Sequence, residues 1–564
     1  MSRISLLLTN ILQAHGVRTA IVSPGARSSA IVERLVASEI EVNCVIDERS
    51  AAFIALGIAE VTQMPVALVC TSGSAVLNYA PAISEAYYRH LPLIVVSADR
   101  ERMWVDQNEG QTIRQAGVLA NIVKESYDLP PLLPGADRDG EWHCDRLIND
   151  AFLKAMSRPR GPVHINVQIS LRAETESNLS YRRPDMGVIT AVTAENELKV
   201  SRVRELSRQL ASPQKVMVVA GFMPPDKRLN QALAKLAAKP NVIVMAEPLA
   251  NLHNPMFVHS VDSALHALAT QPGGVPVEAQ PDVVIALGGS ILSAPLKRWL
   301  RQLDNCRVIS VGRENVVTDC FRSLTMNVET DPGVFMQQLA SAMQPHNAPS
   351  DYSDLWQHAA RRGESLLAAA VARSEWCEMK AMSVITSLIP RNWNIELSNG
   401  LTVRYYSLLN KGNFHRCSCN RGVSGIDGCT STAIGASLAY KAAATILISG
   451  DMCALYDISA FASGQMTPRF KMVVIDNGGG GIFHFSKTTR NLNCVGECLI
   501  SPPGMKLPLE ELAKGFGLKY FEADDEKTLR SRWGEFAAES REPALMRIVT
   551  DGALDAEKLS EFLN

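Results

Sequence analysis

ATILISGDMCALYDISAFASGQMTPRFKMVVIDNGGGG, residues 444–481, reads as two strands joined by one crossover. The run ATILIS is continuous and apolar, as a parallel strand buried on both faces must be, and it ends in Gly450-Asp451. The run FKMVVI repeats the pattern and ends in Asp476-Asn477-Gly478-Gly479-Gly480-Gly481. Asp451 and Asn477 lie 26 residues apart, so both can stand at the carboxyl ends of neighbouring parallel strands, where open α/β sheets bind ligands. A carboxylate, an amide oxygen and a free backbone carbonyl form a hard-oxygen set. Such a set suits Mg²⁺, which takes few protein ligands and completes its shell with phosphate oxygens. The glycines let backbone approach a diphosphate closely. A lone Gly-Asp or Asn-Gly would be an ordinary turn at a strand end. The pair at this spacing, with four glycines, points to a site.

Outward from this stretch, NIELSN (394–399) and ALMRIV (544–549) supply further strands of the same segment. A second α/β pattern lies upstream, in QKVMVVAG (214–221), NVIVMAE (241–247), PDVVIALGG (281–289) and CRVISVG (306–312). The N-terminal segment alternates again. A helix is expected over Ile4–His15, closed by Gly16, then strand RTAIVS, a helix near Ala30–Ala37 and strand VNCVID. Helix Ala51–Thr62, strand PVALVC, a helix near Val76–Tyr88 and strand LPLIVVSA follow. The polar stretch 171–200 and residues around 340–355 read as linkers. The expected fold is three doubly wound parallel-sheet α/β domains, at 1–180, 195–345 and 375–564. The middle domain has strands of dinucleotide-binding character but no G-x-G-x-x-G run, so no cofactor is assigned to it.

Composition excludes several classes. A formal net charge of −2 gives no basic field for nucleic acid. No apolar run reaches the roughly 18 residues of a membrane helix. MSRISLLLTNILQAHG lacks a small-residue cleavage site and runs into a strand, so it is expected as a first helix, not a signal peptide. Twelve scattered cysteines without metal-ligand spacing suggest reduced thiols and a cytoplasmic location.

Gly-Asp followed about a crossover later by Asn resembles the signature of thiamine-diphosphate enzymes. That resemblance implies thiamine diphosphate held through Mg²⁺ (or Mn²⁺) by Asp451, Asn477 and the carbonyl of Gly479. It also implies an activating glutamate at a strand end in the N-terminal domain, and VNCVID leads into Asp47-Glu48-Arg49. Alone, that tripeptide is a good helix start. In the family, the glutamate hydrogen-bonds the aminopyrimidine and drives the tautomer that generates the reactive carbanion; the cofactor supplies the chemistry and the protein its orientation.

A narrower resemblance rests on SPGARSS, DERSAAFIALGIAEVTQMPVALVCTSGSAVLNYAPAISEA, SADR and GQTIRQAG, and on SNGLTVR, CNRGVSGIDGCTSTAIGA and GDMCALYD. These are similar to the 2-succinyl-5-enolpyruvyl-6-hydroxy-3-cyclohexene-1-carboxylate synthase family of menaquinone biosynthesis, throughout the first and third domains and weakly in the middle one. The resemblance implies decarboxylation of 2-oxoglutarate and 1,4-addition of the succinyl-semialdehyde carbanion to isochorismate. It assigns substrate carboxylates to Arg27, Arg100, Arg404 and Arg421, since the planar guanidinium binds carboxylate bidentately. A single arginine would otherwise be a surface ion pair. Gln111 matches a glutamine that contacts the cofactor-bound intermediate. Ile426 matches the residue that props the cofactor in its bent form, and Ile482 and Phe483 would wall the reacting carbon. The active unit implied is a homodimer or homotetramer with sites between subunits.

The chain departs from the family pattern in places. Ala294 and Pro295 stand where a Lys, often followed by Arg, is usual. Lys297 and Arg298 come three residues later; they would serve if the loop is rebuilt and are otherwise expected on a helix surface. Gly400 follows Asn399 where a serine is usual, and Cys453 replaces a hydroxyl residue with a weaker donor. The alternatives are a related thiamine-diphosphate 2-oxo acid decarboxylase or carboligase with a different acceptor, and a non-catalytic descendant, which intact Glu48, Asp451 and Asn477 argue against.

Overall fold

The computed structural model describes residues 3–132, 138–169, 187–194, 196–211, 214–312, 317–343, 350–412, 415–499 and 507–563. Three wholly parallel sheets organise it. The first contains β1 Thr19–Val22, β2 Glu41–Cys44, β3 Val66–Cys70, β4 Leu93–Asp99, β5 Ser126–Leu129 and β6 Val163–Gln168, in the order β2-β1-β3-β4-β6-β5. The second contains β7 Val216–Ala220, β8 Val242–Ala246, β9 Val283–Leu287, β10 Arg307–Gly312 and β11 Leu324–Glu329, ordered β11-β10-β9-β7-β8. The third contains β12 Asn394–Leu397, β13 Arg416–Cys419, β14 Thr445–Gly450, β15 Phe470–Asp476, β16 Lys519–Ala523 and β17 Ala544–Val549, ordered β13-β12-β14-β15-β17-β16. Helices cover both faces, as parallel sheets require.

The central strands β3, β7, β9 and β14 are among those expected from their apolar runs. Those the runs do not reveal are mostly edges: β5, β11, β13 and β16 are short and of mixed polarity because one side of an edge strand meets solvent or a loop. The single helix expected near Val76–Tyr88 is two, Ala75–Asn78 and Ala80–Arg89, with Pro81 in the first turn of the second, where a missing N–H costs nothing. Much of the expected 171–200 linker lies outside the described residues, and a helix already begins at Val200. The expected 340–355 linker is shorter. Helix Pro332–Ala342 enters it from one side and the 22-residue helix Tyr352–Arg373 leaves on the other. The long helix packs on the middle domain: Trp356 is fully buried and its indole donates to Ala279 O at 3.1 Å.

The first and third domains meet through helix Glu48–Thr62 and helix Cys429–Ala439. A methyl on Gly57 would overlap Thr432 O, and one on Gly435 would overlap Ile54 O, so each helix uses a glycine to reach the other's backbone. Such close approach explains why Ser50 to Glu60 are all buried although the helix starts with charges. Among the described residues no helix is long and apolar enough to cross a membrane.

Candidate active site

Asp451 begins a helix where β14 ends, and Asn477 follows the last residue of β15; the two strands pair in parallel, with Gly450 opposite Ile475. Gly478, Gly479 and Gly480 follow with φ of 83°, 85° and 66°, a left-handed run that only glycine holds without strain. Gly552 has no room for a side chain because Asn477 O would lie 2.8 Å from its Cβ. Asp451 is 7% exposed and accepts the Met452 N–H at 2.6 Å. Burial, with Asp476 nearby, pushes its carboxyl up to about 6. Asp476 differs: Arg547 holds it, with Nη2 at 2.6 Å from Oδ2. A buried carboxylate with no cation of its own, beside an amide and a glycine cradle, fits a divalent cation and a diphosphate. Ile482 and Phe483 sit half-buried on the short helix Gly481–Phe485 that closes this cup.

A second cluster follows β12 and β13. Arg404 lies on helix Leu401–Leu409 and donates to Gly400 O. Gly400 has φ 112° and ψ −137°, a conformation that explains glycine at the position where a serine was expected. Arg421 Nη1 donates to Asn399 Oδ1 at 3.0 Å, while Asn399 Nδ2 donates to Asn420 O and Gly425 O, both at 2.7 Å. Asn399 thus ties together residues 420, 421 and 425 of this loop. Arg421 Nε is buried without a hydrogen-bond partner among the described residues. Burial lowers the Arg404 guanidinium and the nearby Arg421 charge adds repulsion. The same loop carries Ile426, whose carbonyl accepts the Cys453 thiol at 3.1 Å. The residue that replaces the expected hydroxyl therefore still anchors that loop.

Lys297 is not on an outer helix surface. It is half-buried, donates to Ile291 O at 3.0 Å, and senses Glu247 and Arg421. Ala294 and Pro295 instead start helix Ala294–Leu300, capped by Ser293 Oγ accepting Leu296 N–H at 3.0 Å. Lys297 follows one turn into it and joins the Arg404–Arg421 group. Arg298 is exposed, and its Nη2 donates to Leu563 O at 2.7 Å.

A third cluster lies in the first domain. Arg27, on the turn after β1, is held near Arg100, Asp99 and Glu109, and its Nε is another buried group without a partner among the described residues. Arg100 pairs with Glu109 at 3.3 Å, and its backbone N–H donates to Asp99 Oδ1 at 2.8 Å. Gln111, with φ 54°, is exposed and lies against Gly73, whose amide is held by Gln115 Oε1 at 2.9 Å. Glu48 is half-buried at the start of helix Glu48–Thr62, where Asp47 Oδ1 caps Arg49 N–H at 2.9 Å and so relieves Glu48 of that task. Its carboxylate has no hydrogen-bond or ion-pair partner among the described residues.

A site with a glycine-lined diphosphate cup on one parallel sheet and a strand-end glutamate on another defines a thiamine-diphosphate enzyme. Residues 3–118 match the family described as thiamine pyrophosphate enzyme, N-terminal TPP binding domain, and residues 398–548 match its C-terminal TPP binding domain. The fold is shared with benzoylformate decarboxylase from Polynucleobacter necessarius at TM-score 0.71 and 15% identity, covering 98% of this chain and 99% of that one. The chain belongs to the 2-succinyl-5-enolpyruvyl-6-hydroxy-3-cyclohexene-1-carboxylate synthase family. It is 32% identical to that synthase of Porphyromonas gingivalis over 99% of this chain and 96% of the relative. For the synthase of Bacteroides fragilis the identity is 33%, over 99% and 98%.

Proposed function

We propose that the protein decarboxylates 2-oxoglutarate and adds the resulting four-carbon unit to isochorismate, a step of menaquinone biosynthesis. The observation that carries this reading is the group of Arg404, Arg421 and Lys297, in which Arg421 is held on Asn399 Oδ1 and the other two lie within electrostatic reach of it. Both substrates are polycarboxylates, and three clustered cations need anionic partners to be worth their burial. Bound thiamine diphosphate supplies the carbanion chemistry that no side chain provides. Asp451, Asn477 and the Gly479 carbonyl would hold the divalent cation, Mg²⁺ or Mn²⁺, that grips its diphosphate. Glu48 would exchange a proton with the pyrimidine ring, a task suited to a carboxylate with no competing partner. Ile426 would support the ring from below, and Ile482 and Phe483 would exclude water from the reacting carbon. Arg27, Arg100 and Gln111 would orient substrate from the first-domain side.

The reading includes a homodimer or homotetramer in which Glu48 of one subunit faces Asp451 of another, and a cytoplasmic location, which the scattered, mostly buried thiols support. A second reading, a carboligase with another acceptor, draws on Ala294 at the usual lysine position; the placement of Lys297 weighs against it. Mass spectrometry on purified protein given thiamine diphosphate, Mg²⁺, 2-oxoglutarate and isochorismate, each omitted in turn, decides between them. A new adduct that needs all four is expected. Carbon dioxide and succinic semialdehyde without adduct would transfer the assignment to the second reading.

A further inference from the structure

Arg421 does not hold its position from within its own domain alone. The loop that carries it, Asn420–Val423, docks on helix Ala80–Arg89 of the first domain. Glu85 receives two consecutive amides of that loop, Gly422 N–H on Oε1 at 2.8 Å and Val423 N–H on Oε2 at 2.6 Å. Arg89, one turn on, donates through Nη1 to Asn420 Oδ1 at 3.1 Å and through Nη2 to Ser418 Oγ at 3.0 Å. The two side chains are 3% and 1% exposed, and Arg89 Nε lies 3.8 Å from Glu85 Oε1. The Arg89 guanidinium also sits 4.8 Å over the ring of Phe222 from the middle domain. Residues 420, 422 and 423 are therefore all tied to the first domain, while the Arg421 side chain between them turns to Asn399, on whose Oδ1 its Nη1 ends at 3.0 Å. Gly422 is part of the fit: a Cβ there would lie 2.7 Å from Glu85 O and 3.1 Å from Arg89 Cγ.

In sequence, Glu85 and Arg89 read as an ordinary i,i+4 pair on a helix surface. Burying both charges is costly, and an apolar pair would join two domains at least as well. What an apolar pair cannot do is fix the direction of two successive amides. The device occurs twice. At the end of β8, Glu247, 2% exposed, receives Leu292 N–H at 2.7 Å and Ser293 N–H at 2.6 Å, on the loop that leads to Lys297. Arg421 and Lys297 are thus each carried or preceded by a loop whose amides end on a buried glutamate.

We propose that Glu85 and Arg89 are positioning residues for substrate binding: through Asn420, Gly422 and Val423 they set where Arg421 meets a substrate carboxylate. The inference rests on the reading of Arg421 as a substrate-binding residue. The first domain thereby controls carboxylate recognition in the third, without touching the diphosphate cup.

Steady-state kinetics of the holoenzyme with each carboxylate substrate varied test it, using Arg421→Ala, Glu85→Gln, Gly422→Ala and the double variant Glu85→Gln/Arg421→Ala. Arg421→Ala is expected to raise one KM by roughly a hundredfold and so identify the substrate that Arg421 holds. Glu85→Gln should raise the same KM roughly tenfold, the scale of a small misplacement of a binding group, with thermal midpoint and thiamine diphosphate affinity near wild type. In the Arg421→Ala background the change should add less than about twofold, because the two residues act as one unit. Gly422→Ala keeps both charges but displaces the loop, and should reproduce the KM effect if Glu85→Gln does not fold. An unchanged KM in both Glu85→Gln and Gly422→Ala, or a fully additive double variant with lost stability, would reduce the pair to domain glue and overturn the inference alone. An unchanged KM in Arg421→Ala would overturn the reading of Arg421 and the inference with it.

Discussion

The first and third sheets run six strands in the same order: β1 corresponds to β12, β2 to β13, and so on to β6 and β17. Their register agrees as well, since Val95 opposite His164 corresponds to Met472 opposite Leu545. Helix Glu48–Thr62 follows β2, helix Cys429–Ala439 follows β13, and these equivalent helices pack on each other through equivalent glycines. The chemistry at the strand ends is nevertheless opposite. After β2 stands Glu48, an acid; after β13 stands Arg421, a base. After β4 comes Arg100; after β15 comes Asn477 with its glycine cradle. The architecture supplies equivalent places, and only the residues in the loops decide what each place does. The middle sheet keeps this order over its first four strands, β8-β7-β9-β10, and departs from it only at the far edge, where β11 alone stands in place of a strand pair.

The largest expected effects separate the two strand-end acids. Asp451→Ala should abolish thiamine diphosphate binding in a titration with Mg²⁺, and turnover with it. Glu48→Ala should keep the binding and lose turnover by ~10²–10⁴-fold, the range of a proton-transfer group. If the first domain of one subunit serves the third domain of another, mixing the two inactive variants under conditions that exchange subunits restores roughly a quarter of wild-type activity, from one intact site in each mixed dimer. A mixture as inactive as its parts would break the pairing of unlike domains across subunits and leave each chain with its own site.

The equivalent glycines give the next effect. Gly57→Ala and Gly435→Ala should each lower stability by about 1–3 kcal/mol through overpacking against backbone. Thermal melting checks this, with Gly534→Ala as control. Gly534 lies in helix Glu526–Ala537 with nothing within 4 Å of where an alanine methyl would sit, so alanine there should gain up to about 1 kcal/mol. A loss at Gly57 without one at Gly435 would show that the two helices do not bear equally on their contact.

How much of this could be read in the chain follows burial. Strands such as β14 and β15 declare themselves because both their faces are dry, and the Asp451–Asn477 spacing follows from one crossover between them. Edge strands such as β13, RCSC, and β16, KYFEA, give no such signal. The carboxylate clamps were invisible for another reason. Glu85 and Glu247 act on backbone amides far away in sequence, Gly422 and Leu292 among them, and no local pattern records which amide a glutamate will meet. Lys297 was misplaced by the same limit: its spacing from β9 is readable, but the direction of the turn that Ser293 and Pro295 start is not.

The smallest effect concerns a polar strand of the first sheet that its apolar neighbours hide. His164 on β6 is fully buried, with Nε2 2.7 Å from Ser97 Oγ and Nδ1 3.2 Å from Ser126 Oγ; its counterpart in the third sheet is Leu545. Burial without a charged partner lowers the imidazole to about 4. The unfolded chain takes up a proton near pH 6.5 that the native first domain refuses, so stability is intact above that pH and falls as pH drops towards about 4. The loss from this one residue is at most about 3 kcal/mol by linkage. His164→Leu installs the third-sheet residue; Ser97 Oγ keeps its bond to Asn166 Oδ1 at 3.1 Å. The variant's urea midpoint should therefore fall less than wild type's between pH 6.5 and 4.5, whatever its value at pH 7.5. Parallel pH curves for the two proteins would mean that the folded first domain accepts the proton, and that the two sheets do not differ in acid lability at this position.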